Sequence, residues 1–201
     1  MPALTRKGAA TRERILQGAA AQIREHGVVA TTLDDVLART TTSKSQLFHY
    51  FPGGREELLL AVARLEADRV LEDQRPQLGD LSSWPAWWRW RDRVVERYRA
   101  QGTLCPLNAV MSQLGGVTPG AQAVVTELMR SWQAEIAAGV RHMQQAGEID
   151  RAMDADRAAA ALLAGVQGGV LIQMSTGSTA HLEAALDIGI AHLGAGDRGQ
   201  A

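Results

Sequence analysis

The chain has 201 residues, of which 46% are hydrophobic and 21% are charged, and its formal net charge is −1. A chain of this length buries roughly 70% of its unfolded surface, so it can fold without disulfides or a structural metal, and its composition excludes wholesale disorder. The single cysteine, Cys105, excludes an internal disulfide and a multi-cysteine zinc site. Because no apolar stretch has the length of a signal peptide core or a membrane span, we expect a cytoplasmic protein without a membrane partner.

Helical periodicity runs through the chain, and no strand pattern or internal repeat interrupts it. Thr32 can cap a short second helix, Thr40–Thr42 favour a turn, and Ser43 can cap a third helix. We predict an all-α fold of about nine helices, with residues 76–83 as a loop. The predicted helices are 9–26, 33–40, 44–51, 55–74, 84–100, 107–114, 119–146, 154–176 and 182–193.

Charge is unevenly distributed between the two ends of the chain. Residues 1–50 carry seven basic and four acidic side chains, a net charge of +3, whereas residues 51–201 carry a net charge of −4. A basic head on an acidic body is typical of a small module that faces an anion.

The third predicted helix has two chemically different sides. Leu47 and Phe51 are four residues apart and are expected to pack on the first two helices. The opposite side carries hydrogen-bond donors and aromatic groups, which suits a helix lying in the major groove of DNA. Its residues are Lys44, Ser45, Gln46, His49 and Tyr50.

The stretch TSKSQLFHYFP at 42–52, followed by REELL at 55–59, closely resembles the DNA-binding signature of the TetR family of bacterial repressors. The resemblance covers roughly residues 9–62. The segment PGGR after Phe51 and the later LCPL at 104–107 look similar to the branch that contains drug- and flavonoid-responsive repressors.

The resemblance implies roles for individual residues at the DNA. Lys44, Ser45 and Gln46 match the base-reading positions, and Arg55 matches the basic residue that opens the fourth helix near a phosphate. The full set of expected DNA contacts is Thr31, Thr32, Ser43, Lys44, Ser45, Gln46, His49, Tyr50 and Arg55.

Two positions depart from the family pattern. Thr41 stands where a glycine is usual, and a β-branched residue is strained at a positive φ, so we expect a turn that differs in detail. Phe48 stands where tyrosine is frequent, which removes one phosphate-bonding hydroxyl.

The family also implies a ligand pocket in the C-terminal helices. Four tryptophans cluster between 84 and 90, where they either line such a pocket or simply fill the core. The residues that we expect at the ligand are Trp84, Trp88, Arg91, Tyr98, Asn108, Met111, Trp132, Gln167 and Met174.

Small residues recur at four-residue spacing on the eighth predicted helix, which allows another helix to approach closely. They predict either a two-fold dimer interface with the last helix or close internal packing between these two helices. The residues expected at the dimer interface are Ala161, Gly165, Gly169, Leu182, Leu186, Gly189 and Leu193.

The sequence therefore predicts a ligand-responsive repressor with a DNA-binding head at 1–54 and a ligand-binding and dimerisation body at 55–201. It would bind a palindromic DNA operator as a homodimer and be released by a small apolar, aromatic inducer, without a cofactor or metal. A ligand-independent DNA-binding protein and a helical enzyme are the alternatives. The enzyme is disfavoured because the sequence contains no HExxH, GxSxG or phosphate-binding loop.

Overall fold

The computed structural model describes residues 5–102 and 119–195, which contain nine helices and no strand. The prediction of an all-α fold is thereby confirmed. The helices are α1 (Arg6–His26), α2 (Leu33–Thr40), α3 (Lys44–Tyr50), α4 (Gly54–Glu72), α5 (Arg75–Leu78), α6 (Trp84–Gln101), α7 (Pro119–Gln145), α8 (Ala155–Thr176) and α9 (Ala180–Leu193).

One helix differs from the sequence prediction, and one lies beyond what is described. The segment 76–83, predicted to be a loop, contributes to α5, because Pro76 suits the first turn of a helix and Leu78 is buried. The predicted helix 107–114 lies outside the described residues, as do Cys105, Asn108 and Met111.

The chain forms two compact units. The N-terminal unit comprises Met1–Asp68 with Cys105–Val125, and the C-terminal unit comprises Arg69–Leu104 with Thr126–Ala201. Both α4 and α7 therefore contribute residues to each unit.

The core of the N-terminal unit is built where α1 meets α2 and α3. Ile15, Ala20, Leu47 and Phe51 have no exposed surface there. Burying an aliphatic or aromatic side chain of this size stabilises a fold by about 1.5–3 kcal/mol. These contacts fix the direction in which the other side of α3 faces. Gly27 ends α1 with φ 80°, as expected of a glycine after a helix.

Tryptophan dominates the core of the C-terminal unit. Trp87 and Trp90 are fully buried on α6 and meet edge to face, with ring centroids 5.9 Å apart. The indole nitrogen of Trp90 donates to Oε1 of the buried Gln74 at 3.0 Å, and Gln74 Nε2 donates to the Val70 carbonyl at 2.9 Å. The side-chain polar atoms of Trp90 and Gln74 are therefore satisfied.

Helices α8 and α9 run antiparallel in close contact. A Cβ atom added at Gly169 would lie 2.5 Å from Leu182 Cα, and one added at Gly189 would lie 2.5 Å from a methyl group of Leu162. Glycine is therefore required at 169, where the neighbours are backbone atoms, whereas a larger residue at 189 would only displace the Leu162 side chain.

Helix α8 is long and apolar enough to cross a membrane by length and composition, the one such helix among the described residues. This differs from the expectation that no apolar stretch of the chain reaches the length of a membrane span. In the fold, the buried side chains of α8 include Leu162, Val166 and Val170, so its apolar composition serves the core of the C-terminal unit.

Candidate nucleic-acid interface

The exposed side of α3 carries the predicted base-reading residues. Lys44, Ser45, Gln46 and His49 are all exposed, while Tyr50 is half-buried with its ring edge to face against His49 at 4.8 Å between centroids. These side chains occur on one short helix whose opposite side is locked into the core. The arrangement therefore offers donors to a polyanion from a rigid support.

The turn between α2 and α3 is closed by threonine side chains. Thr41 adopts the left-handed conformation, with φ 50° and ψ 47°, that a glycine would accommodate more easily. The buried Thr40 hydroxyl lies 2.7 Å from the Val36 carbonyl and 2.6 Å from the Thr42 hydroxyl. The turn thus keeps the left-handed backbone in spite of its β-branched residue, with hydroxyl hydrogen bonds holding it on both sides.

Both helices of the helix-turn-helix begin with a capping box. Thr32 Oγ1 accepts the Asp35 N–H at 3.2 Å, and the Thr32 N–H donates to Asp35 Oδ2 at 2.9 Å. Hydrogen bonds from the Thr32 hydroxyl and backbone hold the pKa of Asp35 below its ordinary value. On α3, Ser43 Oγ accepts the Gln46 N–H at 3.2 Å, and the Ser43 N–H donates to Gln46 Oε1 at 3.0 Å. These caps satisfy N–H groups that a short helix would otherwise leave unpaired.

Thr31 and Arg55 both donate hydrogen bonds to backbone carbonyl groups between α1 and α2. The Thr31 side chain is buried, and its hydroxyl donates to the Gly27 carbonyl at 2.7 Å. Arg55 Nη2 donates to the Val28 carbonyl at 2.8 Å and lies 3.4 Å from the Thr31 carbonyl. The half-buried guanidinium therefore fastens the α1–α2 loop to the start of α4, and its contact with a phosphate stays a prediction.

Two acidic residues of α4, missed by the sequence analysis, also shape this region. Glu57 Oε2 accepts the Gly53 N–H at 2.7 Å and places a carboxylate at the start of α4. Glu66 is only 6% exposed and pairs with Arg24 of α1 at 2.5 Å. The Gly53–Glu57 contact joins residues four positions apart, so the sequence alone could have predicted it. The Arg24–Glu66 pair joins two different helices and could not be predicted without the fold.

The sequence matches two family models. Residues 15–62 match the model described as bacterial regulatory proteins, tetR family, and residues 87–188 match a tetracycline repressor-like C-terminal domain, about half of the chain. The chain belongs to the TetR family. The capped helix-turn-helix at Leu33–Tyr50 lies within the first of these matches.

One curated relative is similar to the chain over part of its length. An uncharacterized HTH-type transcriptional regulator of Mycobacterium tuberculosis, Rv0196, is 32% identical over 110 residues, 52% of this chain and 53% of the relative. The match thus spans about half the length of this curated relative.

Solved TetR structures share the fold. A TetR-family regulator from Cytophaga hutchinsonii superposes with a TM-score of 0.76 at 18% identity, covering 96% of this chain and 99% of its own. The SmeT–triclosan complex gives a TM-score of 0.67 at 21% identity and covers 91% of each chain. SmeT is the repressor of the Stenotrophomonas maltophilia multidrug efflux pump SmeDEF.

The predicted ligand residues of the TetR body do not share one face. Trp88 is 39% exposed, the half-buried Trp84 donates from Nε1 to Glu148 at 3.0 Å, and Arg91 pairs with Asp187 of α9 at 2.7 Å. Tyr98 and Trp132 are buried, and Gln167 and Met174 are half-buried. The buried side chains of α6 include Trp87, Trp90 and Val94, and Tyr98 is the one predicted ligand residue of this helix that is buried with them.

Two cavities of the C-terminal unit are lined by other residues. A groove of about 560 Å³ lies along α8 and α9, and a cleft of about 600 Å³ lies between the segment after α5 and the middle of α7. None of the predicted ligand residues that the structure describes lines either of them.

The predicted dimer residues divide between the core and the surface. Gly169, Leu182, Leu186 and Leu193 are buried within the protomer, because the leucines of α9 face α8 and α6 rather than solvent. This corrects their assignment to a surface interface. Ala161 is exposed, and Gly165 and Gly189 are half-buried at the groove. Three large apolar residues of α8 and α9 that were not predicted at an interface are exposed, namely Leu171 at 64%, Ile172 at 37% and Ile188 at 72%.

Proposed function

We propose that this protein is a transcriptional repressor that binds a palindromic DNA operator as a homodimer and releases it when a small, apolar, aromatic molecule binds. The observation that carries the proposal is the exposed row Lys44, Ser45 and Gln46 at the start of α3, held by a capped helix-turn-helix. The first residues of a recognition helix are those that reach base edges in the major groove. Residues 1–54 act as the DNA-binding head and 55–201 as the ligand-binding and dimerisation body, in the cytoplasm.

Dimerisation is supported by an apolar face on α8 and α9. Leu171, Ile172 and Ile188 are exposed, and α8 also carries exposed small residues such as Ala161 and Ala164. Contiguous exposed apolar surface marks an interaction site in a soluble protein, and small side chains allow a partner helix to come close. A dimer also presents two recognition helices, whereas one short helix reads too few base pairs for a useful specificity.

A ligand in the body is supported by two buried indole groups. The Nε1 atoms of Trp87 and Trp132 are buried without a hydrogen-bond partner among the described residues. Buried polar groups in proteins are nearly always bonded, so an aromatic ligand that also carries an oxygen acceptor would satisfy such a donor. The complex of SmeT with triclosan, an apolar aromatic compound with a hydroxyl group, supports the same chemical class.

Helix α4 is the element that can link ligand and DNA. Arg55 and Glu66 fasten it to the α1–α2 loop and to α1, and its last turn belongs to the C-terminal unit. A ligand that favours one position of α4 would change the spacing of the two recognition helices. The coupling is reciprocal, so the ligand weakens DNA binding by the factor by which DNA weakens ligand binding, roughly 5- to 150-fold.

A ligand-independent DNA-binding protein is the second candidate. It is favoured by Trp87 and Trp90, which are buried against each other in the core of the C-terminal unit and line neither of the two cavities described above. The two proposals differ in whether a bound compound changes the affinity for DNA.

The test uses DNA from upstream of the protein's own coding region in a mobility-shift assay, with triclosan and related phenols screened by tryptophan fluorescence. We expect a compound that binds to release the DNA. Trp132→Phe keeps an aromatic six-membered ring but removes the indole N–H. The variant should therefore bind the compound more weakly and keep the same affinity for DNA. Compounds that bind without affecting DNA affinity would favour the ligand-independent protein.

A further inference from the structure

We infer that Gln46 reads its base through its amide NH2 group alone and therefore selects guanine or thymine rather than adenine or cytosine. The inference rests on the proposed function, since it concerns which base the start of α3 recognises. It follows from the hydrogen bonds that Gln46 makes within α3, which determine the part of its side chain that is available to DNA.

The carbonyl end of the Gln46 side chain is held by the helix cap. Gln46 Oε1 accepts the Ser43 N–H at 3.0 Å, and the Gln46 N–H donates to Ser43 Oγ at 3.2 Å. Because α3 has only seven residues, its first turn makes up much of the helix and depends on this reciprocal pair. Turning the carbonyl toward DNA would leave the Ser43 N–H unpaired.

The amide NH2 group is the end of the side chain that remains. Gln46 is exposed, and none of the hydrogen bonds of the described residues uses its Nε2 atom. A glutamine that recognises adenine uses both ends of the amide, its oxygen toward N6–H and its nitrogen toward N7. With the oxygen held by Ser43, this two-point contact is not available.

The bases differ in what they offer to a lone donor. Guanine presents two acceptors, N7 and O6, and thymine presents O4, whereas cytosine presents only the N4–H2 donor. Adenine places its own N6–H2 donor next to N7, which opposes a second donor group. Guanine, with two adjacent acceptors, is therefore the best match for the NH2 group of Gln46.

The experiment selects duplexes from a randomised DNA library with the full-length protein and with three variants. Gln46→Ala identifies the base position that Gln46 reads, since preference should disappear there alone. Gln46→Glu retains the capping acceptor but replaces the donor by a carboxylate, so the preference should change to cytosine, with a reversal of roughly ten-fold or more in relative affinity. Ser43→Ala is the matched control: it removes the hydroxyl but keeps the N–H that holds Gln46 Oε1, so overall affinity should fall with the preference unchanged.

The outcomes separate this inference from the proposed function. A guanine or thymine at the Gln46 position that becomes cytosine with Gln46→Glu supports the inference. An adenine at that position in the wild-type selection overturns it, as does a preference that Gln46→Glu leaves unchanged. A wild-type protein that enriches no sequence contradicts the proposed function itself and removes the basis of the inference.

Discussion

Replacing Gly169 by alanine tests the packing of α8 on α9. The new Cβ atom would lie 2.5 Å from Leu182 Cα and 2.8 Å from Leu182 N, whereas non-bonded carbon atoms prefer about 3.5–4.0 Å. Because both neighbours are backbone atoms, no change of rotamer relieves the contact, and the two helices must separate by about 1 Å. Overpacking against backbone atoms falls in the upper part of the usual range, about 2–3 kcal/mol, and the better helix propensity of alanine, worth about 1 kcal/mol, offsets part of this cost.

The assay is thermal and urea unfolding, followed by circular dichroism at one fixed protein concentration. A net loss of about 1–2 kcal/mol corresponds to a fall in Tm of roughly 2–8 °C for a chain of this size. Gly168→Ala is the matched control, since a Cβ atom there meets nothing within 4 Å in the protomer and should leave the free energy of unfolding unchanged or raise it by up to about 1 kcal/mol. If Gly169→Ala unfolds at the wild-type temperature, the close approach of α8 and α9 is refuted.

Three further changes test other parts of the account. Arg55→Ala removes the guanidinium that binds carbonyl groups of the α1–α2 loop, so the free energy of unfolding in urea should fall by about 1–2 kcal/mol. The affinity for specific and for random DNA should fall by the same factor. A loss of affinity for specific DNA alone would mean that Arg55 reads bases. Leu171→Arg places a charge on the exposed apolar face and should yield a folded monomer by light scattering, whereas an intact dimer would place the interface elsewhere. The hydrogen bond from the Thr179 hydroxyl, and to a smaller extent the charge of Arg91, hold the pKa of Glu183 below its ordinary value of 4.5. The ionised Glu183 side chain therefore contributes to stability in full above that pH, and this contribution is lost as the pH falls through the lowered pKa. Glu183→Gln should therefore reduce the acid sensitivity of the unfolding temperature, and an unchanged pH profile would show that this carboxylate contributes nothing.

The helices and their caps were predictable because their signals are local. Thr32 and Ser43 are followed three residues later by Asp35 and Gln46, and these pairs form the capping boxes that such spacing favours. Gly27 ends α1 where a glycine stops the periodicity. Each of these features depends on residues within one turn of each other, so the sequence contains the information needed.

The inward faces of the helices in the C-terminal unit were less predictable. On α6, the predicted ligand residues Trp84, Trp88 and Arg91 have helical spacing. The buried residues Trp87, Trp90 and Val94 have it too, so periodicity alone does not show which side of the helix faces the core. The choice depends on Gln74, which lies outside α6 and accepts the Trp90 N–H. The role of Arg55 likewise depends on a carbonyl group 27 residues away. Contacts between distant residues require the fold.

Recognition of a specific DNA sequence by α3 can be tested directly by comparing the protein's affinities for two DNA duplexes. Fluorescence anisotropy of the full-length protein would use the duplex recovered by selection and a scrambled duplex of the same composition, each at several salt concentrations. We expect the selected duplex to bind at least about 10³-fold more tightly than the scrambled duplex, and both affinities to fall steeply with salt as phosphate contacts release counterions. Equal affinity for the two duplexes at every salt concentration would contradict this expectation.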